Sequence, residues 1–257
     1  MRIATWNING MKARLPFLLR WLDDVKPDLV GLQELKMTDE QFPHEMLDKA
    51  GYRAMTHGQK GWNGVAVLSR EPVEVTQVGL PGQEDMGARL LTVQQGELSF
   101  TTVYCPNGKS VDHEDFPRKL AWLDGLIAHI ADCHDASRPA VLCGDFNLVP
   151  GDLDSWAGQR LIGQIFHTDA ERARFNRLLD WGWRDAYRVK FPETPGFTWW
   201  DYRGGAFHKQ QGLRIDFMLT TASVAARLRD ALVERRWRKK IDGMISSDHI
   251  PVCIDID

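Results

Sequence analysis

Four short apolar segments of the sequence each adjoin a cluster of carboxylate, amide or imidazole side chains. The pairs are residues 2–6 with Asn7, 28–32 with Glu34, 139–143 with Asp145 and Asn147, and 252–256 with Asp248 and His249. A segment that is apolar at successive positions fits a strand that is buried on both faces. Such strands need covering layers, and their ends can hold polar groups on a rigid scaffold. The chain is therefore restricted to a layered α/β fold with polar residues at strand ends.

Strand and helix patterns alternate along the rest of the chain. Residues 11–24 carry leucines at helical spacing, and residues 116–130 form a longer amphipathic pattern. Further strands are predicted at 52–57, 63–68, 73–78, 90–95, 99–104, 197–200, 214–219 and 231–237, and further helices at 43–50, 153–156, 170–181 and 223–229. Helices flank two groups of strands in similar order. We predict a four-layer αββα sandwich of the α/β (α+β) class, with two mixed β-sheets face to face.

Length and composition fit one domain. The 257 residues are 43% hydrophobic, enough for a single large core, and no linker-like or repetitive stretch divides the chain. We therefore predict one domain over residues 1–257. No apolar run approaches ~20 residues, and the first residues lack the apolar centre of a signal peptide. We expect a cytoplasmic monomer without membrane contact, in which the four scattered cysteines are reduced.

Charge is distributed unevenly along the chain. The formal net charge is −3, yet residues 158–240 hold 17 Lys and Arg against 9 Asp and Glu. The remaining residues hold 15 basic against 26 acidic side chains. A basic surface beside an acidic site suits a polyanion that must reach a bound cation. The alternative is that these arginines simply lie on solvated helix faces.

The polar residues at the strand ends have the chemistry of a hard-cation and phosphate site. Glu34 offers oxygen ligands suited to Mg²⁺, and the amide of Asn7 can ligate an ion, donate to phosphate or orient Glu34. Asp145 can accept a proton from attacking water or ligate a second ion. Asn147 can donate to an oxyanion on phosphorus. The alternatives are a capping or ion-paired role for Glu34, and simple turns at both asparagines.

One histidine and two further carboxylates complete this set. His249 is the one histidine of eight that lies in such a cluster. Its neighbour Asp248 is placed to ligate a metal ion or to support a ligand. Asp216 lies on a predicted strand between apolar residues, where an unpaired buried carboxylate would be costly. The sequence leaves open whether Asp145 or His249 accepts the proton from water, and whether one or two ions bind.

Six short motifs run through the chain in order. They are Trp6-Asn7-Ile8-Asn9-Gly10, Leu32-Gln33-Glu34, Gly61-Trp62-Asn63-Gly64-Val65-Ala66, Gly144-Asp145-Phe146-Asn147, Gly212-Leu213-Arg214-Ile215-Asp216 and Ser247-Asp248-His249. In sequence and spacing they resemble the motifs of the exonuclease III family of AP endonucleases, within the endonuclease/exonuclease/phosphatase superfamily. The resemblance implies a four-layer sandwich and Mg²⁺-dependent hydrolysis of DNA phosphodiester bonds, with Mn²⁺ as a substitute ion.

The resemblance also implies particular activities and residue roles. The activities are cleavage 5′ of abasic sites, 3′-phosphodiesterase and 3′-phosphatase action, and 3′–5′ exonuclease action on duplex DNA in base excision repair. Asp216 would orient His249, and Tyr104 would be a site tyrosine near the cation. The implied metal-site residues are Asn7, Glu34, Asp145, Asn147, Asp248 and His249, and the implied catalytic residues are Tyr104, Asp145, Asn147, Asp216 and His249.

Contacts with DNA are implied at a second group of positions. Arg89 matches an arginine that lies on the DNA backbone, and Asn107 lies in a phosphate-contacting loop. The wall of a pocket for an extruded abasic sugar matches Trp199, Leu213 and Ile215. An apolar pocket of that size favours a sugar without a base. The expected partner is duplex DNA with abasic sites or blocked 3′ ends.

Two alternatives to an abasic-site nuclease remain at this point. One is a 3′-end-processing relative with little abasic-site activity, which would share the hydrolytic residues. The other is a catalytically silent nucleic-acid-binding regulator, which would be expected to have lost the metal carboxylate or the histidine. Glu34 and His249 are both present, which favours an enzyme.

Overall fold

Two six-stranded β-sheets lie at the centre of the computed structural model, which describes residues 1–257. The strands are β1 (Arg2–Asn7), β2 (Leu29–Gln33), β3 (Arg53–His57), β4 (Val65–Ser69), β5 (Glu74–Val78), β6 (Leu90–Gln95), β7 (Leu98–Tyr104), β8 (Ala140–Asp145), β9 (Arg184–Asp185), β10 (Asp216–Thr220), β11 (Leu228–Val233) and β12 (Val252–Ile256). The helices are α1 (Met11–Val25), α2 (His44–Lys49), α3 (Asp115–Cys133), α4 (Asp169–Trp181), α5 (Ala186–Lys190) and α6 (Ala222–Ala225). The first sheet has the order β11-β12-β1-β2-β4-β3, and the second has the order β5-β6-β7-β8-β10-β9.

Each sheet contains one parallel pair near its centre. These pairs are β1 with β2 and β7 with β8, and the other pairs are antiparallel. Parallel neighbours need a crossover connection, which α1 supplies in the first sheet and α3 in the second. The carboxyl ends of each parallel pair therefore meet at one edge, beside the start of an antiparallel strand, β12 or β10.

Apolar side chains fill three layers of the molecule. The layer between the sheets includes Ile3, Val67, Phe100, Val141 and Ile254. The layer under α1 includes Trp6, Phe17 and Trp21, and the layer under α3 and α4 includes Trp122, Phe175 and Phe217. Each fully buried large apolar side chain contributes about 1.5–3 kcal/mol, so these layers dominate the favourable free energy of folding. Helices outside two packed sheets confirm the predicted four-layer sandwich.

Gly144 allows β8 to approach β7 directly before Asp145. Its φ angle is 140°, and a Cβ atom at this position would lie 1.9 Å from the carbonyl oxygen of Val103. Any side chain would therefore push the two central strands apart. The glycine of this motif fixes where the carboxylate of Asp145 emerges from the sheet.

Some predicted elements are wrong or misplaced, all of them in the regions 153–156 and 197–237. Residues 197–200 form no strand, because Trp199 makes single bridges to Leu213 and to His249 instead of joining a ladder. The predicted helix at 153–156 is only a 3₁₀ turn over Asp152–Asp154. The helix predicted at 223–229 is shorter, because α6 ends at Ala225 and the chain enters strand β11 at Leu228. The strand predicted at 231–237 lies earlier, because β11 ends at Val233 and a 3₁₀ turn over Arg235–Arg238 follows it. The short elements β9 and α5 were not predicted.

Helix α3 is the longest helix, with 19 residues. Neither this helix nor any other is apolar enough over a sufficient length to cross a bilayer. The four cysteines are unpaired, with Cys133 exposed at the end of α3 and the other three buried.

Candidate active site

The carboxyl ends of the central strands bring most of the predicted site residues together. Asn7 ends β1, Glu34 follows β2, Tyr104 ends β7 and Asp145 ends β8. Asp145 pairs with Tyr104 on one side and with Asp216, the first residue of β10, on the other. Residues that are far apart in sequence converge because both parallel pairs end at the same edge of the sandwich.

Three side chains form a group that is small enough to hold one metal ion. The candidate ligand atoms of Glu34, Asp145 and His249 all lie within 4.8 Å of one another. Two carboxylates supply the oxygen ligands that hard divalent cations prefer. The residues present therefore fit a divalent cation.

Asn7 holds the two carboxylates of this group in place. Its side-chain Nδ2 donates to Glu34 Oε1 at 2.8 Å and to Asp145 Oδ2 at 2.9 Å. Its Oδ1 accepts from the backbone N–H of Asn9 at 3.0 Å, and the whole side chain is buried. Asn7 therefore lies within hydrogen-bond distance of Glu34, and its role in orienting that carboxylate stays a prediction.

Asn147 follows Asp145 through a sharp turn. Its φ angle is 50°, and its backbone N–H donates to Asp145 Oδ1 at 2.9 Å, so an Asx turn is present. The side-chain Nδ2 donates to the carbonyl of Cys105 at 2.9 Å, and Oδ1 accepts from Asn107 Nδ2 at 3.3 Å. The turn brings the amide of Asn147 back beside Asp145 and joins it to the loop of residues 105–114, which we call the Asn107 loop.

His249 and Asp216 form a buried pair. The Nδ1 atom of His249 lies 2.9 and 3.1 Å from the two carboxylate oxygens of Asp216, and its Nε2 lies 3.8 Å from Asp145 Oδ2. Burial alone would lower the pKa of His249, but the charge and hydrogen bond of Asp216 raise it instead. Burial raises the pKa of Asp145, although the nearby imidazole opposes this effect. The structure places Asp216 where the predicted orienting role requires it.

Two residues outside the predicted set support this pair and the metal group. Thr198 donates its hydroxyl to Asp216 Oδ2 at 2.5 Å, which fixes the carboxylate. Lys36 Nζ lies 2.8 Å from Glu34 Oε2. Burial raises the pKa of Glu34, but Lys36 and Asn7 outweigh this effect and lower it, so the carboxylate is ionised at neutral pH. Lys36 lies two residues after Glu34 and could have been found from the sequence, whereas no pattern marks Thr198.

Asp248 lies beside the three-residue group and outside it. Its Oδ1 accepts from Asn9 Nδ2 at 2.7 Å, and its Oδ2 accepts from the indole Nε1 of Trp199 at 3.0 Å. Both carboxylate oxygens therefore have protein partners. The geometry suits the supporting role predicted for Asp248, and its role as a ligand stays a prediction.

Arg89, Tyr104 and Asn107 border one groove of about 510 Å³. The guanidinium of Arg89 lies 4.9 Å from the centre of the Tyr104 ring and donates to the carbonyls of Met86 and Tyr104, at 2.7 and 3.1 Å. Burial, together with the charges of Glu34 and Asp145, raises the pKa of Tyr104 well above its usual range. The phenol therefore remains protonated and can act as a hydrogen-bond donor at the site.

A second cleft, of about 320 Å³, contains the predicted apolar wall. Trp199 and Leu213 line it together with Trp156 and Phe166, which the sequence did not indicate. Ile215 lies in the small apolar cluster on which Phe166 and Trp199 pack. The ring centres of Trp199 and His249 are 6.4 Å apart, so the cleft adjoins the His249 and Asp216 pair.

Comparisons with known proteins agree with this arrangement. Residues 4–249 match the model of the Endonuclease/Exonuclease/phosphatase family. Exodeoxyribonuclease III of Haemophilus influenzae is 36% identical, over 98% of both chains. Among solved structures, the 3′ phosphatase NExo from Neisseria, bound to product DNA hairpin, is 36% identical with a TM-score of 0.94, covering 100% of this chain and 99% of that chain. An AP endonuclease from Archaeoglobus fulgidus is 31% identical with a TM-score of 0.95, covering 100% and 99%.

Proposed function

The chain belongs to the endonuclease/exonuclease/phosphatase family, and we propose that it is a DNA repair nuclease that hydrolyses phosphodiester bonds with the help of Mg²⁺. The observation that carries this proposal is the group of Glu34, Asp145 and His249, whose ligand atoms lie within 4.8 Å of one another. Two grooves that can accept a nucleic acid lie beside this group: one is lined by Tyr104, which pairs with Asp145 in the sheet, and the other by Trp199, whose ring centre is 6.4 Å from that of His249.

We assign the cation to Glu34 and Asp145, because they are the two carboxylates that Asn7 holds side by side. When bound, a divalent ion offsets phosphate charge and polarises the phosphorus–oxygen bonds. Mn²⁺ takes the same oxygen ligands and is the expected substitute. Asp248 is assigned to holding Asn9 and Trp199, since it lies outside the group of three side chains whose ligand atoms are close enough to share one ion.

The remaining residues are assigned by what they can donate or accept. Asp145 accepts a proton from the attacking water as the oxygen of that water forms a bond to phosphorus. The bond from phosphorus to the leaving oxygen breaks, and the leaving oxygen takes up a proton from solvent. His249, held by Asp216 through Nδ1, presents its Nε2 towards the reacting phosphate. Tyr104 and Asn147 donate hydrogen bonds to the phosphate oxygens as negative charge develops there.

The apolar cleft supports cleavage 5′ of abasic sites. Trp199 and Leu213 line a space beside His249 that suits a sugar without a base. A second candidate, 3′-end processing with little abasic-site activity, is favoured by one observation: Phe166 packs on the cluster of Leu213 and Ile215 and adds a bulky ring to the lining of the cleft. Both candidates share the same hydrolytic residues.

Digestion of three end-labelled duplexes separates these candidates. The duplexes carry an abasic site, a 3′-phosphate or a recessed 3′-hydroxyl, and each is incubated with Mg²⁺, with Mn²⁺ and with EDTA. We expect nicking of the abasic duplex, and EDTA should abolish every activity. Release of 3′-phosphate without abasic nicking in Mg²⁺ or Mn²⁺ would favour the end-processing candidate, and full activity in EDTA would contradict the metal assignment.

Replacing Leu213 with histidine is expected to reduce abasic cleavage while 3′-phosphate removal is retained. The larger polar ring would enter the apolar cleft, whereas Glu34 and Asp145 lie outside the residues that line it. The ratio of the two activities, measured on the same preparation, is the decisive quantity, because retained phosphatase activity shows that the variant is folded. An equal loss of both activities would contradict the pocket assignment.

A further inference from the structure

Lys119, on helix α3, has a fully buried side chain beneath two loops of the site. Its ammonium group donates to the carbonyl oxygen of Asn147 at 2.5 Å and to that of Asn107 at 3.2 Å. It also forms a short ion pair with Glu171, which is equally buried. All three donors of the ammonium are therefore used, and two of them hold the backbones of loops whose side chains reach the site.

Glu171 extends this connection to the wall of the apolar cleft. Its Oε1 accepts from the backbone N–H of Phe166 at 3.2 Å, and its Oε2 accepts from the hydroxyl of Thr168 at 2.8 Å. The ammonium of Lys119 also lies 4.9 Å from the centre of the Phe166 ring. One buried charge pair thus joins the Asn107 loop, the loop of residues 146–151 (the Asn147 loop) and Phe166.

The Asn107 loop is shaped to lie directly on the lysine side chain. Gly108 has a φ angle of 84°, and a Cβ atom there would lie 2.9 Å from Cδ of Lys119 and 3.1 Å from Cδ1 of Ile165. Only glycine allows this approach at a left-handed backbone position. The contact brings the carbonyl of Asn107 within reach of the ammonium group.

We propose that Lys119 is a positioning residue for the hydrolytic reaction, which fixes the Asn107 and Asn147 loops relative to each other so that both side-chain amides face the phosphate. This inference rests on the proposed nuclease function. The carbonyl oxygens of Asn107 and Asn147 accept a hydrogen bond from no side chain other than Lys119. Loss of the ammonium therefore leaves both oxygens without a partner in the interior. Asn107 and Asn147 are hydrogen-bonded to each other at 3.3 Å, so a shift of either loop moves both amides.

A purely structural role for the ion pair is the competing explanation. A buried ion pair is often replaceable by uncharged residues without loss of stability, whereas removal of one partner alone leaves a costly buried charge. The test variant therefore changes both partners, Lys119→Met with Glu171→Gln. Methionine keeps the length of the lysine stem, and glutamine keeps an oxygen that can accept from Phe166 and Thr168.

The variant is compared with wild type in single-turnover cleavage and in DNA binding, and then again in an Asn147→Ala background. We expect the cleavage rate to fall by roughly 10²-fold with DNA affinity changed little, because small misplacement of a donor affects mainly the transition state. In the Asn147→Ala background most of this loss should disappear, since the amide that Lys119 positions is already absent. The pair Lys119→Gln with Glu171→Gln restores one donor and should recover part of the rate.

Leu47→Ala provides the matched control, because Leu47 is buried in a different apolar cluster from Cys105, Phe146 and Leu148 of the two loops. Its effect on the rate should be the same with Asn147 and with alanine at that position. Unchanged cleavage by the Lys119→Met and Glu171→Gln variant, or an equal loss in both backgrounds, would overturn this inference alone. A wild-type protein that never cleaves DNA would overturn the proposed function and this inference together.

Discussion

Replacement of Glu34 by glutamine is expected to lower the single-turnover rate of DNA cleavage by roughly 10³-fold, since a metal ion contributes several kcal/mol of charge stabilisation at a phosphoryl centre. Glutamine keeps the shape of the side chain and its hydrogen bond from Asn7, but it loses the charge that binds the cation. It also leaves Lys36 without its acidic partner, so a positive charge would remain beside the site. Both changes disfavour binding of the divalent cation at this position.

The measurement is the cleavage rate as a function of Mg²⁺ concentration, for wild type and for Glu34→Gln. Weaker metal binding predicts that part of the lost rate returns at high Mg²⁺. Glu40→Gln is the matched control, because Glu40 is an exposed glutamate on the same segment and should leave the rate unchanged. Cleavage by Glu34→Gln close to the wild-type rate at low Mg²⁺ would contradict the metal assignment.

The layered fold could be predicted because central strands such as β2, β4 and β8 are free of charged and polar side chains until their last residue. Strands β2, β4 and β8 are buried at every position, and only a strand covered on both faces has this pattern. The site could be predicted for the same reason, because carboxylates and amides that follow such strands emerge at a sheet edge. Glu34 and Asp145 are of this kind, and the structure brings them within reach of one ion.

The segment around Thr198 could not be predicted from its residues. The pattern of residues 197–200 is typical of a strand, yet the backbone N–H of Thr198 donates to Leu213 while its carbonyl accepts from Ile250. The segment lies between two other chain segments that meet only in the folded protein. Its hydroxyl contact with Asp216 follows from that placement and not from local sequence.

The buried position of Lys119 could not be predicted for a related reason. On helix α3 it occupies a buried position on the face that carries Trp122, Leu123 and Leu126. A lysine at such a position is usually expected to extend towards solvent, because an unpaired buried ammonium is unfavourable. Its partners come from the Asn107 and Asn147 loops and from Glu171, up to 52 residues away. Only the assembled sandwich shows that this charge is paired.

Replacement of His249 by asparagine, or of Asp216 by asparagine, is expected to slow the chemical step by roughly 10²–10⁴-fold, the usual range for loss of a positioned proton donor or acceptor. An asparagine in place of His249 would be too short to reach the phosphate, and one in place of Asp216 would no longer stabilise a positive imidazole. The two carboxylate oxygens of Asp216 lie 2.9 and 3.1 Å from Nδ1 of His249, so we expect the aspartate to act through the histidine. His129→Asn, a change outside the site, serves as the control in the same single-turnover assay.

The double variant decides whether His249 and Asp216 work as one unit. If Asp216 serves only to hold and polarise His249, its loss costs little once the imidazole is gone, and the combined loss should be far smaller than the product of the two single losses. Thr198 donates to Asp216 as well, so the carboxylate also has a partner in the 197–200 segment. Fully multiplicative losses would therefore mean that Asp216 has a separate task, namely to fix that segment against β10. In that case Thr198→Val should reproduce the part of the Asp216→Asn loss that does not depend on His249.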